Sequence, residues 1–308
     1  MPYGHLLEAT RATIATKRPI GFVASTVLAT MASAPLRRVA FGLAKLARAL
    51  RLTSLLARLP GRAGFAFAML EATRPTFASN GAAIASEARH TVATLDGCVM
   101  QELFSHTNAA TRRVLARNGY RHVPADAQQC CGALHAHAGD AERAKSLARR
   151  NIAAFEQSGA EFIAVNAAGC GAMMKDYGHL LRDDPEGAIR AANVASRVRD
   201  VSELLAMAGP VPGGRLPLRV TYDAPCHLLH AQRVVDAPLA VLRAIPGLDL
   251  VPLPDADRCC GGAGIYNLVE PETSAGVLDP KLANVQGTGA VLVATRNPGW
   301  HKQIGGGL

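Results

Sequence analysis

The sequence holds no Cys-x-x-Cys pair, so ferredoxin-like ligand runs are excluded. No Gly-x-Gly-x-x-Gly follows a strand-like run and no P-loop occurs, so no nucleotide-phosphate loop is expected. Aromatic residues are scarce, at 5%, and charged residues make up only 19% of 308 positions. With 49% apolar residues, such a chain buries too much to stay disordered. No run of ~20 strongly apolar residues escapes interruption by charge, so a membrane span is not expected. Seven cysteines, an odd number and widely spread, do not make a disulfide scaffold. Acid is nearly missing from residues 1–75, which carry two Asp/Glu against eleven Lys/Arg. The remainder balances at twenty-two of each sign, so the whole net charge of +9 lies in the first quarter of the chain. Those cations come with Leu, Ala and Phe rather than stacking aromatics, which argues against nucleic acid as a partner.

The length suits two domains at ~100–200 residues each. Residues 19–36, PIGFVASTVLATMASAPL, imitate a secretory signal in outline, but their Ala, Ser and Thr content favours a buried helix. Residues 37–59 read as one helix, with Leu43, Leu46, Leu50, Leu55 and Leu59 at three- to five-residue spacing and Lys45, Arg48, Arg51 and Arg58 between them. Such a basic amphipathic helix docks on an anionic membrane surface or a partner, or packs on its own domain. Pro60-Gly61 is expected to end it, and 71–90 reads as a linker.

From residue 91 the chain repeats itself. Cys98 and Cys226 correspond at an offset of 128, Cys130-Cys131-Gly132 and Cys259-Cys260-Gly261 at 129, and Cys170 and Trp300 at 130. Landmarks in register imply an internal duplication. Each unit alternates short β-rich runs with helical stretches such as 111–120 and 141–159. The expected fold is therefore α/β: two tandem βαβαβ units with small parallel sheets, preceded by an N-terminal helical segment. The expected divisions are 1–90, 91–215 and 216–308. Every landmark cysteine falls just after a strand and before a helix, which places it at the carboxyl edge of its sheet, where ligands gather. Helix N-termini aimed at that edge are expected to lower the thiol pKa values.

Thiolates gathered at one edge suit soft metals, either an iron–sulfur cluster or zinc. Adjacent Cys130 and Cys131 do not readily chelate one ion, but they can serve two metal atoms of a polynuclear cluster. His135, His137, His227, His230 and His301 stand near these positions and are read as surface or supporting histidines, with His301 the best substitute ligand.

The Cys-x31-Cys-Cys-Gly-x37-Cys pattern resembles the cysteine-rich domain of heterodisulfide reductase and related oxidoreductases. Tandem copies with NAAGCGAMMKDYGHLL and RCCGGAGIYNL, together with SHTNAATRRVLARNGY and PCHLLHAQRV, look most like the iron–sulfur subunit of glycolate oxidase. The resemblance covers about 91–300. It implies an electron carrier, with a cluster, 4Fe-4S in type, held by Cys98, Cys130, Cys131 and Cys170, and a second by Cys226, Cys259 and Cys260. It also implies a partner FAD subunit that oxidises a 2-hydroxy acid, and onward transfer toward quinone. The expected location is the cytoplasm, peripheral to the inner face of the membrane.

Four departures qualify the resemblance. The family carries a ferredoxin-like domain; the start of this chain, MPYGHLLEATRATIATKRP, resembles the stretch after it. The expectation is a truncated, split or mis-started copy, served by a separate ferredoxin-like protein. Trp300 replaces the closing cysteine of the second unit, and Met173 stands where the broader motif can hold a further cysteine. Gly276 and Pro280 weaken the second unit's last helix. Two other readings stay open: a zinc-bound or metal-free structural subunit, and a heterodisulfide-type enzyme acting on thiols or disulfides.

Overall fold

The computed structural model describes residues 3–18, 20–75, 86–262 and 264–308. Pro19, at the head of the signal-like run, and positions 76–85 of the expected linker lie outside the described residues.

Five helices come first: α1 (Tyr3–Lys17), α2 (Phe22–Ala32), α3 (Ala34–Ala49), α4 (Leu52–Leu56) and α5 (Gly61–Glu71). The single helix expected over 37–59 is two. Arg51 takes a left-handed backbone, φ 58°, between α3 and α4. That turn carries fully buried Thr53 inward, where its hydroxyl donates to the Glu71 carboxylate. Pro60 caps the start of α5 as well as ending what precedes it. The expected linker is helical at its first residue, because α5 reaches Glu71. In α2, Ala24, Leu28, Met31 and Ala32 are buried, as expected of this run, whereas Phe22 and Val23 face solvent.

The first repeat follows: β1 (His90–Thr94), α6 (Val99–Leu103), α7 (Ser105–Arg117), β2 (Tyr120–His122), α8 (Ala133–Ala138), α9 (Ala141–Gln157), β3 (Phe162–Val165), α10 (Ala168–Lys175), α11 (Tyr177–Leu180), α12 (Gly187–Arg197), β4 (Val198–Asp200) and α13 (Val201–Ala208). Its sheet is parallel, in the order β2-β1-β3-β4. The second repeat holds β5 (Arg219–Tyr222), a π-helical turn (His227–Ala231), α14 (Asp236–Arg243), β6 (Asp249–Val251), α15 (Tyr266–Val269), α16 (Pro271–Gly287), β7 (Leu292–Ala294) and α17 (Pro298–Gly307). Its sheet, β6-β5-β7, is parallel and repeats the order β2-β1-β3.

The strands are rich in β-branched and aromatic residues, as HTVAT, FIAV and RVTY show. In the first sheet they bury Val92, Ala93, Ile163 and Val165 almost completely. Helix α9 buries Ala144, Leu147, Ile152 and Phe155, the face that its sequence pattern predicts; Ala144, Ile152 and Phe155 cover the sheet and Leu147 packs on Cys98 and Cys130. Asp140 caps it by accepting from the Arg143 amide at 3.2 Å. Strand β4 adds to the three expected strands. Its last residue, Asp200, also opens α13 through a capping box with Glu203. Helix α16 runs unbroken through Gly276 and Pro280, so tertiary packing outweighs their poor propensity.

Candidate metal centre

Each landmark residue sits where a parallel strand hands the chain to a helix. Cys98 caps α6 after β1, Cys130 and Cys131 end the loop from β2 to α8, and Cys170 lies in the first turn of α10 after β3. In the second repeat, Cys226 caps the π-helical turn after β5, Cys259 and Cys260 follow β6, and Trp300 lies in the first turn of α17 after β7. The two carboxyl edges face each other. One cavity of about 210 Å³ is lined by Cys98, Cys130, Cys131 and Cys170 from one side and by Cys226 and Cys259 from the other. Cys260 is fully buried beside Trp300, Leu278 and Ile304.

Direct bonds lock the repeats together around this cavity. The Ala168 amide donates to the Arg296 carbonyl at 2.8 Å, and Gln232 Nε2 donates to the Ala168 carbonyl at 2.8 Å. Arg296 pairs with buried Asp200 at 3.1 Å. The N-terminal helices close the site. Val27, Met31, Phe41 and Met69 line the same cavity, and Met31 and Ala32 pack on Cys98 and Cys130. Helix α1 is tied down by Arg11, which donates to the His137 carbonyl at 2.8 Å, and by Glu8, paired with His137 at 2.9 Å. The charge pattern of this segment does not reveal that role.

A polar frame that the sequence does not announce holds the first Cys-Cys-Gly loop. Asn151, fully buried on α9, accepts from the Gln129 amide at 2.7 Å and donates to the Cys130 carbonyl at 3.0 Å. It also donates to Tyr177 Oη at 3.1 Å, and Tyr177 donates to the Cys131 carbonyl at 2.9 Å. Gly132, at φ 89°, lets the loop pass against the Ala144 backbone, 3.2 Å from where a Cβ would stand. Gly261, at φ 77°, makes the same approach to Ser274. There Ser274 Oγ donates to the Gly261 carbonyl and accepts from Gln303 Nε2.

The thiols do not behave as the helix dipoles alone predict. Cys98 is pushed well up by sharing its proton with Cys130 and by complete burial. Cys130 rises to about 12, its neighbour Cys131 being the first cause. At Cys131 the Cys130 thiol lowers the pKa, but Cys170 and burial outweigh it and the net shift is strongly upward. Cys260 rises to about 12 through burial. Cys226 rises because it gives its proton to Cys259, and Cys259 falls to about 6 by receiving it, helped by the Gly261 amide 3.3 Å away. Burial and neighbouring thiols therefore set the direction at every shifted cysteine, upward at all but Cys259, which the Cys226 thiol lowers.

The histidines have other partners. His301 Nε2 donates to the Ala72 carbonyl at 2.7 Å, so that nitrogen points away from the place of a missing ligand. His135 is buried and paired with Asp140 at 2.9 Å. His227 lines the cavity and stacks on His137 at 5.5 Å. Burial first, then His137, holds its pKa down near 4. His230 is exposed. Met173 is buried in the first repeat's core.

The arrangement can be compared with the chemistry of metal binding. Among the described residues, no three His, Cys, Asp or Glu side chains converge as ligands of one ion would. The four thiols of the first repeat instead adjoin in sequence along the cavity wall, Cys98 beside Cys130, Cys130 beside Cys131, and Cys131 beside Cys170. Soft donors spread along a wall fit a polynuclear group, each thiolate serving its own metal atom. The second repeat offers three thiols, and the indole of Trp300 fills the fourth place, 3% exposed. It fits such a group less well.

The description "Cysteine-rich domain" matches residues 92–175 and 220–305. The chain belongs to this cysteine-rich CCG family. It carries two copies, one on each sheet. The CCG protein is 42% identical over 211 residues to the probable glycolate oxidase iron-sulfur subunit of Bacillus subtilis (strain 168), covering 68% of this chain and 48% of that one. It is 36% identical over 212 residues to the glycolate oxidase iron-sulfur subunit of Escherichia coli (strain K12), covering 67% and 51%. It is 31% identical over 213 residues to lactate utilization protein A of an Exiguobacterium species, covering 68% and 87%. The chain thus spans about half the length of the first two relatives. Among the described residues no helix is long and apolar enough to cross a membrane.

Proposed function

We propose that this CCG protein is an iron–sulfur electron-transfer subunit of a 2-hydroxy acid dehydrogenase complex of the glycolate oxidase kind. The observation that carries the reading is the run of four thiols, Cys98, Cys130, Cys131 and Cys170, along one wall of the cavity between the repeats. These would hold the cluster, 4Fe-4S in type, as its ligands. When bound, a cluster of this class supplies one-electron transfer. The chain's own residues set the conditions. Met31, Phe41 and Leu134 keep water from the thiols, while Asn151 and Tyr177 fix the backbone between Cys130 and Cys131. Loading releases thiol protons, and the raised pKa values of Cys98, Cys130 and Cys131 make it more favourable as pH rises. Hydride chemistry on the hydroxy acid belongs in this reading to an FAD-bearing partner, with a further ferredoxin-like protein and quinone downstream. The chain works on the cytoplasmic side.

The test is iron and acid-labile sulfide content after anaerobic purification, with the broad sulfur-to-iron absorption that accompanies them. Cys131→Ala should abolish that absorption while circular dichroism stays native. Stoichiometric zinc without iron would overturn the reading in favour of a structural subunit. Metal-free protein that reduces a low-molecular-weight disulfide would favour thiol chemistry. One observation favours an unequal pair of sites: Trp300 occupies the core position that corresponds to Cys170.

A further inference from the structure

Twelve of the 21 exposed large apolar side chains among the described residues fall in the first 60 positions, so apolar surface is concentrated there. The densest part is on α3. Leu36, Val39, Leu43, Leu46 and Leu50 recur at three- and four-residue steps and are 52%, 63%, 62%, 56% and 62% exposed. At 100° per residue they form one row. The opposite face of the same helix is committed inward. Arg37 is buried and donates to the Met31 carbonyl, Phe41 lines the cysteine cavity, and Arg48 donates to Thr73 Oγ1 at 3.0 Å. The row therefore has a fixed orientation, outward from the roof of the metal centre. Beyond the Arg51 turn, Leu52, Leu55 and Leu59 continue the apolar surface at 46%, 62% and 49% exposure. On α2, Phe22 is 84% exposed.

The exposed charge around this surface is mostly positive. Arg38, Arg51 and Arg58 are exposed along it, as is Lys45, which lies 3.9 Å from the largely buried Glu102 carboxylate of α6. The two carboxylates of residues 1–75 are engaged elsewhere, Glu8 with His137 and Glu71 with Arg74 and Thr53. A second copy of the chain would bring cations against cations. A leucine surface spread over consecutive helices and bordered by arginines matches the two requirements of an interfacial helix, apolar burial and attraction to anionic headgroups.

We propose that the outer face of α3, continued by α4, docks the protein on the surface of an anionic phospholipid bilayer. The leucine row enters the headgroup boundary, and Arg38, Arg51 and Arg58 meet lipid phosphates. This contact stands on exposure and charge alone and does not depend on the metal centre being loaded. It would place the roof of the cysteine cavity against the membrane.

Co-sedimentation of the full chain with vesicles tests it. Protein should pellet with equimolar phosphatidylglycerol and phosphatidylcholine, and not with phosphatidylcholine alone. Raising the salt should weaken the interaction, because exposed charges are screened within ~10 Å at 0.1 M. Arg38→Ala and Arg58→Ala should each weaken binding roughly fivefold. Leu43→Glu with Leu46→Glu should weaken it more than about tenfold. Both positions are more than half exposed, so circular dichroism and cysteine titration should match the parent. Equal binding to both vesicle types, no binding to either, or unchanged binding by the leucine variant would overturn the proposal. So would vesicle-free self-association that the leucine variant abolishes, because the row would then be a seam between copies.

Discussion

Lys281→Met probes the second repeat through a deeply buried ion pair. The Lys281 ammonium, 3% exposed, donates to Asp223 Oδ1 at 2.7 Å and to the carbonyls of Ala256 and Asp255 at 3.2 and 3.4 Å. It lies 5.0 Å from the centre of the Trp300 ring. Asp223 is fully buried, and its Oδ2 has no hydrogen-bond partner. Burial raises the Asp223 carboxyl to about 6, and Lys281 only partly opposes this. Methionine keeps most of the lysine volume and removes the charge. Breaking a buried pair from one side costs about 3–5 kcal/mol, because the other charge is left alone. That cost should appear in full at pH 8, where Asp223 is ionised. The folded pKa lies above the unfolded value of about 3.9, so the folded state holds this proton to higher pH. Asp223 itself therefore contributes most below the unfolded value, and its contribution is lost as pH rises through about 6. At pH 5 the carboxyl is mostly neutral with or without the lysine, and the variant's deficit should shrink to below about 2 kcal/mol. Urea unfolding at both pH values measures this, with D223N and the double variant completing a cycle. The double variant should recover most of the loss. A deficit under about 1 kcal/mol at pH 8, or the same deficit in the D223N background, would refute the reasoning.

Asn151→Leu should cost about 3 kcal/mol by the same assay, since it strands the Gln129 amide and the Cys130 carbonyl at about 1–3 kcal/mol each; the loop's grip should loosen in parallel, read as faster reaction of Cys130 and Cys131 with a thiol reagent. Trp300→Cys should lower the stability of metal-free protein by about 3–5 kcal/mol through the lost indole. After anaerobic reconstitution with iron and sulfide it should hold about one more cluster than the parent. A parent that already holds two clusters, one of them lost in Cys259→Ala, would contradict this.

The repeat and the strand-end position of every cysteine are legible in the sequence because both are local. A strand, a turn and a helix start are each written in a few consecutive residues. What escapes is what depends on distant partners. Strand β4 is three residues, Val-Arg-Asp, too short to carry a period, and it is fixed by pairing with β3 and by the Asp200 cap. The break at Arg51 follows from Thr53 reaching Glu71, eighteen positions away. The thiol pKa values follow neighbouring thiols and burial, neither of which a helix N-terminus read from sequence includes. The N-terminal helices look like an appendage by charge, yet Met31 and Phe41 form part of the wall around the cysteines. The inward contact of Phe41 is masked in the sequence, because α3 also carries the stronger outward leucine row.

The duplication also explains why the two halves are unequal. Helices α9 and α16 are both 17 residues long and align at an offset of 130. At that offset Asn151 meets Lys281, Ala144 meets Ser274, and Met173 meets Gln303. The first repeat supports its Cys-Cys-Gly loop with a neutral amide and a phenol, and leaves Cys170 facing the cavity. The second has an ammonium in the place of the amide, a buried carboxylate to balance it, and an indole over the ammonium. These groups depend on one another: the ammonium needs Asp223, and the Trp300 ring packs over the ammonium. Restoring a cysteine at 300 alone therefore also removes the ring above Lys281. The variant should gain a metal ligand and lose stability together, and adding Lys281→Asn with Asp223→Leu should return only the share of the loss that the uncovered ammonium contributes, without removing the ligand.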